Sequence, residues 1–318
     1  MSRYSKLYIY NKIQILQLKE RNVIVDYILQ IKDLCKSYNK HKVLNNLNMN
    51  VPNGSIYGFV GKNGTGKTTT IRLACGLQKP NSGIVDFSFN DKRKIGAIVE
   101  NPALNMDMTA YENMQIQFDL INRKDYESIN DILKTVGLQD VGKKKAKVFS
   151  LGMKQRLGIA MTLCCEPEIL FLDEPINGLD PQGIIDMRNT LLAINKEKGI
   201  TIVISSHILE ELSKIATHYG FISNGQIVSE LSSEDLNRAI QHRVDLHVNN
   251  TENAEVALQN MSNEFIIGDK IITVIGDIVL TDIVLQLHKH NITVYKAIER
   301  DETLEEFFLK TIGGEQNA

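Results

Sequence analysis

The sequence is poor in the features that mark several large classes of protein. Its 318 residues contain no apolar run long enough to span a bilayer, no internal repeat and no low-complexity tract. The formal net charge is −2, so no overall electrostatic attraction to nucleic acid or acidic lipid is expected. The first residues lack the apolar block and small-residue cleavage site of a signal peptide. We therefore expect a soluble chain that reaches a membrane only through a partner.

Cysteine and histidine are scarce and show no metal-ligand spacing. The four cysteines lie in apolar or helical stretches, where reduced core thiols are expected: Cys35, Cys75, Cys164 and Cys165. Four of the histidines fall near the C-terminus, where a packing or interaction role is the default: His242, His247, His288 and His290.

What is present begins with residues 56–69, which read IYGFVGKNGTGKTT. An apolar run meets the pattern Gly-x-x-x-x-Gly-Lys-Thr, and a helix-prone stretch follows, as in a phosphate-binding P-loop. Glycines let successive N–H groups point at anionic oxygens, and the helix dipole faces the same oxygens. Lys67 would reach the β- and γ-phosphates of a nucleoside triphosphate, and Thr68 would ligate Mg²⁺. The predicted phosphate-site residues are Gly61, Asn63, Gly64, Gly66, Lys67, Thr68 and Thr69.

A second acidic motif follows the apolar run 169–172, which reads ILFL and predicts a buried strand. Asp173 and Glu174 come directly after it. In P-loop enzymes the first such acid holds Mg²⁺, and the second accepts a proton from the attacking water or orients that water. An exposed acidic turn is the alternative, which the intact P-loop disfavours.

Three further positions are candidates from local sequence. His207 follows the apolar run 201–205, where it could contact a γ-phosphate or water; a lone histidine is more often structural, but its position at the end of a sheet strand favours the functional role. Ser150 is placed as the N-cap of a helix whose start could bind an anion, but a plain capped helix is favoured locally. Tyr38 lies on a polar turn, where stacking on a purine and partial burial are equally compatible with the spacing.

Taken in order, these motifs resemble those of the ATP-binding subunit of an ATP-binding cassette (ABC) transporter over residues 27–232, and more weakly to residue 309. The Walker A motif is 61–69, Walker B is 169–174, the D-loop is 178–180 and the switch histidine is His207. The resemblance implies that Tyr38 stacks on adenine. It also implies that the signature motif (Ser150 and Gly152) and Asp180 of the D-loop act on ATP shared between two cassettes.

The sequence departs from the common pattern at three places. The signature reads FSLGM where LSGGQ is usual, and Ile176 replaces a small polar residue after the Walker B proline. The Q-loop position is Glu100, where a glutamate looks like that of the bacitracin-resistance and lantibiotic-immunity exporters. Gln→Glu keeps an oxygen ligand for Mg²⁺ or water and adds a charge, so Glu100 is also a candidate metal ligand and catalytic residue.

The resemblance implies an α/β fold: a P-loop NTPase cassette with a RecA-like core, an antiparallel β flank and a helical insertion, followed by a small C-terminal α+β domain. We expect an extension over 1–26, the ABC domain over 27–234 with its helical subdomain at about 104–165, and the accessory domain over 235–318. Thr109 and Asn130 are expected helix caps.

The predicted function is ATP binding and hydrolysis, with ATP and Mg²⁺ as cofactors, to power a separate integral membrane permease. The chain would form a homodimer on ATP and lie in the cytoplasm, attached to the membrane through the permease, and would export an antimicrobial peptide or antibiotic. A different exported substrate is the alternative. A non-transport cassette acting on ribosomes or nucleic acid is less favoured by the acidic balance and the single cassette, and complete Walker B chemistry argues against a cassette that only binds ATP.

Overall fold

The computed structural model describes residues 26–39, 41–240, 242–259, 261, 264–276, 279–301 and 303–313. The predicted extension lies outside these residues, apart from Asp26. The chain forms two compact units that divide between Ser233 and Glu234.

The first unit is built on a six-stranded sheet. Its strands are β3 (Ile56–Val60), β5 (Ile95–Ile98), β6 (Ile169–Asp173), β7 (Thr201–Ser206), β8 (His218–Ser223) and β9 (Gln226–Ser232). In the order β5-β6-β7-β3-β8-β9 all neighbours are parallel except β8 and β9. Strands β3, β6 and β7 are buried along their whole length, which explains their unbroken apolar runs. Their carboxyl ends meet at one edge of the sheet, as the fold prediction requires.

The predicted antiparallel flank is a three-stranded sheet with the order β2-β1-β4, made of β1 (Tyr27–Tyr38), β2 (His41–Pro52) and β4 (Ser82–Phe87). Strand β2 is longer than the alternation alone predicts, because it pairs with β1 from Tyr38 opposite His41 to Tyr27 opposite Pro52. Leucine, isoleucine and valine side chains from β1 and β2 join those of β3 and of the following helix in one core cluster. The flank is therefore packed onto β3.

The helices of this unit are α1 (Lys67–Ala74), α2 (Ala110–Leu120), α3 (Ser128–Thr135), α4 (Leu151–Leu163), α5 (Pro181–Lys198) and α6 (Leu209–Ser213), with 3₁₀ turns at Lys92–Lys94 and Ala146–Val148. Helices α2, α3 and α4 pack against one another and supply the predicted helical insertion.

Two predicted caps are confirmed. Thr109 forms a capping box with Glu112, and Ser150 Oγ accepts a hydrogen bond from the Met153 N–H.

The predicted cap at Asn130 is wrong, because Asn130 lies inside α3. The helix begins two residues earlier, at Ser128, whose N–H donates to the Asp125 carbonyl at 3.0 Å. Arg123 and Ser128 both donate to the Asp125 carboxylate and fix this turn. Side-chain contacts within the turn therefore decide where the helix starts.

All four cysteines are free thiols. Burial raises the pKa of Cys75 and of Cys164 to about 12, as expected for core thiols. Cys35 is an exception to the predicted core setting, since it lies at an irregular point of β1 and hydrogen-bonds the Asn46 side chain at 2.9 Å. The hydrogen bond from the Asn46 backbone N–H lowers the pKa of Cys35 below its ordinary value.

The second unit is a small α+β domain. After α7 (Ser233–Ala239), its elements run β10 (His242–Val248), α8 (Ala254–Leu258), β11 (Glu264–Ile267), β12 (Ile271–Ile275), α9 (Leu280–Lys289), β13 (Val294–Asp301) and α10 (Leu304–Gly313). The antiparallel sheet has the order β11-β12-β10-β13, so β10 to β13 form a βαββαβ unit of ferredoxin-like topology. Alternating residues of β10 and β12 pack with α8 and α9 in a separate core cluster. Sequence reasoning missed the short helices α7 and α8.

Candidate nucleotide-binding site

A glycine-rich loop joins β3 to α1 at the carboxyl edge of the central sheet. Gly66 has a φ of +111°, and a Cβ at this position would lie 2.5 Å from Leu44 Cδ2. A Cβ on Gly61 would lie 2.5 Å from Ile222 Cγ2. Both ends of the loop therefore require glycine, and the curled backbone between them is of the kind that directs N–H groups at a phosphate.

Lys67 is the first residue of α1, and its side chain is buried. Its Nζ donates to the Gly61 carbonyl at 2.7 Å and to the Lys62 carbonyl at 3.3 Å. The same atom lies 3.4 Å from Glu174 Oε1, at the end of β6. The ammonium is thus held between the loop and an acid, where it can exchange carbonyl partners for phosphate oxygens without leaving the loop.

Asp173 is fixed by hydroxyl groups on both sides. Thr68 Oγ1 donates to its Oδ2 at 2.7 Å, and Ser205 Oγ donates to its Oδ1 at 2.6 Å. Ser205 stands opposite Asp173 in the parallel register of β6 and β7. A threonine hydroxyl and a carboxylate beside a phosphate-binding loop are hard oxygen donors of the kind that Mg²⁺ prefers. Thr68 and Asp173 therefore fit a Mg²⁺ site.

Glu174 has a left-handed backbone, with a φ of +51°. Its N–H donates to Ser205 Oγ at 2.9 Å, and its Oε2 lies 2.8 Å from His207 Nδ1. Its Oε1 is buried and accepts no hydrogen bond. The Lys67 ammonium 3.4 Å away is its charged neighbour, and an oxygen that accepts no hydrogen bond can accept one from a ligand or water that arrives with substrate. Sequence reasoning named Glu174 and His207 for this chemistry, and the structure brings them into contact.

A cavity of about 270 Å³ opens beside these acids, lined by Glu100, Asn101, Leu151, Gln155, Asp173, Glu174 and Asn177. Glu100, the predicted Q-loop acid, lies at its rim with a φ of +69°, and its carboxylate forms an ion pair with Arg72 of α1. Gln155 is buried, and its Oε1 has no hydrogen-bond partner. The predicted Q-loop position, the start of α4 and the two acids therefore line the same cavity.

The other predicted site residues make separate contacts. The Tyr38 ring is partly exposed, its hydroxyl bonds the Gln78 side chain, and Lys36 Nζ lies 5.3 Å from the ring centroid. Asp180 caps α5 by accepting from the Gly183 N–H at 3.2 Å, and Gly152 lies near the same glycine. These residues do not line the cavity, so their assignment still rests on the sequence.

Sequence reasoning missed the polar cavity residues Asn101, Gln155 and Asn177, and it missed two residues that hold the acids in place. Ser205 holds both Asp173 and Glu174, and Arg72 pairs with Glu100. A polar residue near the end of the buried run TIVIS was the available signal for Ser205. Arg72 gave no signal, because a basic residue in the last turn of a helix is ordinary.

Comparison with known proteins identifies the family. Residues 44–177 match the family model described as ABC transporter. The bacitracin transport ATP-binding protein BcrA of Bacillus licheniformis is 40% identical over 299 residues, which are 90% of this chain and 98% of that protein. The lantibiotic transport ATP-binding protein SrtF of Streptococcus pyogenes is 43% identical over 225 residues, 68% of this chain and 97% of that protein.

Solved structures agree with the fold. CbiO1 of Clostridium perfringens, part of the ABC transporter complex cbiONQ, superposes with a TM-score of 0.60 at 28% identity over 67% of this chain and 91% of that chain. A nucleotide-free ATP-binding cassette from an ABC transporter gives the same TM-score at 26% identity over 67% of this chain and 94% of that chain.

Among the residues that the structure describes, no helix combines the length and the apolar character needed to cross a bilayer. The site geometry and the relatives point to the same family. The site has the P-loop, the paired acids and the histidine beside them, and BcrA aligns over nine-tenths of the chain. The chain belongs to the ATP-binding subunits of ABC transporters, a family of ATPases that work with a membrane permease.

Proposed function

We propose that two copies of this chain bind MgATP between them and power an integral membrane permease that exports an antimicrobial peptide or a related antibiotic. The observation that carries the ATPase part is the contact of Lys67, Thr68, Asp173, Glu174 and His207 in one cluster. The substrate class rests on relatives named for bacitracin and lantibiotic transport, together with Glu100 at the Q-loop position. The permease would hold the chain at the inner face of the membrane.

Each residue of the cluster has a separate task in hydrolysis. Lys67 binds the phosphates, and Thr68 and Asp173 hold Mg²⁺, which offsets the negative charge of the triphosphate when it is bound. Glu174 Oε1 accepts a proton as water attacks the γ-phosphorus, and the bond to the β-phosphate oxygen breaks to leave ADP. His207 contacts the other oxygen of Glu174 and holds it in place, and we assign to His207 the sensing of the γ-phosphate.

The signature motif supports the dimer. Ser150 caps the 13-residue helix α4, whose N-terminus favours an anion. A Cβ on Gly152 would meet Gly183 Cα at 3.5 Å, an ordinary contact, and Gly152 has no positive φ. Packing within the chain therefore does not require glycine at 152. Close approach of ATP held by a second copy would require it, and Asp180 of the D-loop would lie at the same interface.

Glu174→Gln tests the chemistry. The amide cannot accept the proton, so we expect phosphate release to fall at least about 100-fold, with ATP binding retained and an ATP-dependent dimer that persists. Phosphate release and light scattering with ATP measure both effects. Glu168→Gln, at the exposed residue just before β6, removes the same charge and should leave both unchanged. Hydrolysis at the wild-type rate in Glu174→Gln would rule out this role.

The transport part is tested in cells that carry the chain with the permease recovered by mild-detergent co-purification. Protection against bacitracin or a lantibiotic by the wild-type chain, lost in Glu174→Gln, is the expected result. Equal sensitivity with and without the chain, despite a retained permease, would replace the antibiotic with another exported substrate. Recovery with ribosomes or nucleic acid and no integral membrane protein would replace transport altogether.

A further inference from the structure

Arg72 and Glu100 connect two parts of the nucleotide site that are far apart in sequence. Arg72 lies in the last turn of α1, the helix that begins with Lys67 of the P-loop. Glu100 follows β5, the edge strand of the central sheet. Glu100 lines the cavity, and its side chain forms an ion pair with Arg72, with Arg72 31% exposed and Glu100 65% exposed. The pair is thus accessible to solvent and to a ligand entering the cavity.

The backbone of Glu100 is in a conformation that needs support. Its φ of +69° lies in the left-handed region, which a glutamate adopts only when its surroundings fix it. Among the described contacts of the Glu100 side chain, the ion pair with Arg72 is the one that can fix it. The neutral glutamine usual at this position would lack that charge attraction.

The charge of the cavity gives the pair a second role. Three carboxylates line the cavity, those of Glu100, Asp173 and Glu174. The last two have partners within the cluster, in the hydroxyls of Thr68 and Ser205 and in Lys67. Arg72 is the cation that faces Glu100. Without Arg72, the carboxylate of Glu100 would be uncompensated and would repel the phosphates of an entering nucleotide.

We propose that Arg72 is a positioning residue for Glu100: it places the Q-loop carboxylate at the cavity rim and offsets its charge so that ATP can enter. This inference rests on the proposed function, in which the cluster of Lys67, Thr68, Asp173 and Glu174 beside this cavity binds MgATP. It assigns to the glutamate at this position a dedicated partner on the P-loop helix, and it predicts that the two residues act as a unit.

The test is a double-mutant cycle on nucleotide binding by the full chain, measured by equilibrium dialysis of a non-hydrolysable ATP analogue with Mg²⁺ and with EDTA. Arg72→Gln should raise the Kd in EDTA about two- to fivefold, as expected for a partly exposed charge pair, and should raise it less with Mg²⁺. In EDTA, where no metal ligand is needed, adding Glu100→Gln to Arg72→Gln should restore the wild-type Kd, because the uncompensated charge is then gone. Arg72→Lys, which keeps the charge, should stay near the wild-type value.

The matched control is Arg93→Gln, which breaks the exposed ion pair with Asp91 and should leave the Kd unchanged. A purely structural Arg72, acting on the dipole of α1, would give a defect that Glu100→Gln does not repair, and that result would overturn the proposal. An unchanged Kd in Arg72→Gln would overturn it too. A wild-type chain that does not bind the analogue at all would count against the proposed ATP site itself, whereas these two results concern Arg72 alone, so the two failures can be told apart.

Discussion

One hydroxyl group, that of Ser205, holds both acids at the end of β6. It donates to Asp173 Oδ1 at 2.6 Å and accepts from the Glu174 N–H at 2.9 Å. The acids themselves could be predicted, because the motif that contains them is contiguous. Ser205 could not, because it lies 31 residues beyond Glu174 and meets it only through the register of β6 and β7.

Ser205→Ala should therefore slow ATP hydrolysis, although Ser205 acts through the two acids and not by contacting the substrate. Asp173 and the Glu174 N–H each lose a partner, and loss of such a supporting bond costs about 10- to 100-fold in metal affinity or activity. The Mg²⁺ concentration for half-maximal phosphate release should rise. Ser206→Ala is the matched control, since this buried neighbour bonds the Ile208 N–H instead and should leave the Mg²⁺ dependence unchanged. Equal Mg²⁺ dependence in Ser205→Ala and the wild type would contradict the role of Ser205.

At the scale of elements, strand β3 is tied to the sheet edge through a buried polar contact. Tyr57 Oη donates to Glu230 Oε1 of β9 at 2.6 Å, and Asn50 of β2 donates to both oxygens of the same carboxylate. Gly220 lies under the ring, where a Cβ would meet Tyr57 Oη at 1.9 Å. Burial first, and then the charge of Glu230, raises the pKa of Tyr57 well above its ordinary value, so Tyr57 remains a donor.

Tyr57→Phe should lower the free energy of unfolding by about 1.5–3 kcal/mol, the usual worth of a hydrogen bond to a charged group. Chemical denaturation of the full chain measures it. Tyr126→Phe removes a hydroxyl bonded to the exposed Asp119 and should cost less than about 1 kcal/mol. Because the folded-state pKa of Tyr57 is raised, its contribution is present below the unfolded pKa of about 10 and declines as pH rises above it. The difference between the wild type and Tyr57→Phe should shrink there, and a difference that grows would contradict this account.

Some elements are determined by contiguous sequence patterns, and others by contacts with distant segments. Buried strands, the P-loop turn and the caps at Thr109 and Ser150 follow from contiguous patterns, and these predictions are confirmed. The start of α3 depends on Arg123 and Asp125, and the length of β2 depends on its pairing with β1. Contacts between segments set such boundaries, and a single sequence does not show them.

For the whole molecule, the two compact units have separate core clusters. SrtF aligns over 97% of its length with 68% of this chain, so a relative of about cassette size exists. We therefore infer that the cassette contains all residues that the proposed ATP site needs from one copy. For the accessory domain, the sequence predicted an α+β fold but not its topology. The order β11-β12-β10-β13 could not be read from alternation, which gives faces but not neighbours.

A chain that ends at Ser233 should keep ATP binding with a Kd within about twofold of the full chain. This cut leaves β9 complete and keeps the bond from the Ser233 N–H to the Thr217 carbonyl at 2.8 Å. Equilibrium dialysis measures the Kd, and calorimetry should show one unfolding transition fewer if the units unfold separately. A second truncation, ending at Ser223, removes β9 and with it Glu230, and should fail to fold. Loss of nucleotide binding by a folded chain that ends at Ser233 would show that the accessory unit contributes to the site.

The accessory sheet brings its own first and last strands together. Strands β10 and β13 are antiparallel neighbours, with His242 opposite Asp301. The polypeptide thus enters and leaves this sheet through positions about 5 Å apart, the spacing of paired strands. The ends of such a segment can be joined by a short linker and new termini opened at another turn. The segment can also be inserted into a surface loop of an unrelated protein without distorting that protein. Residues 242–301 are therefore suited to circular permutation and to insertion into another protein as a unit.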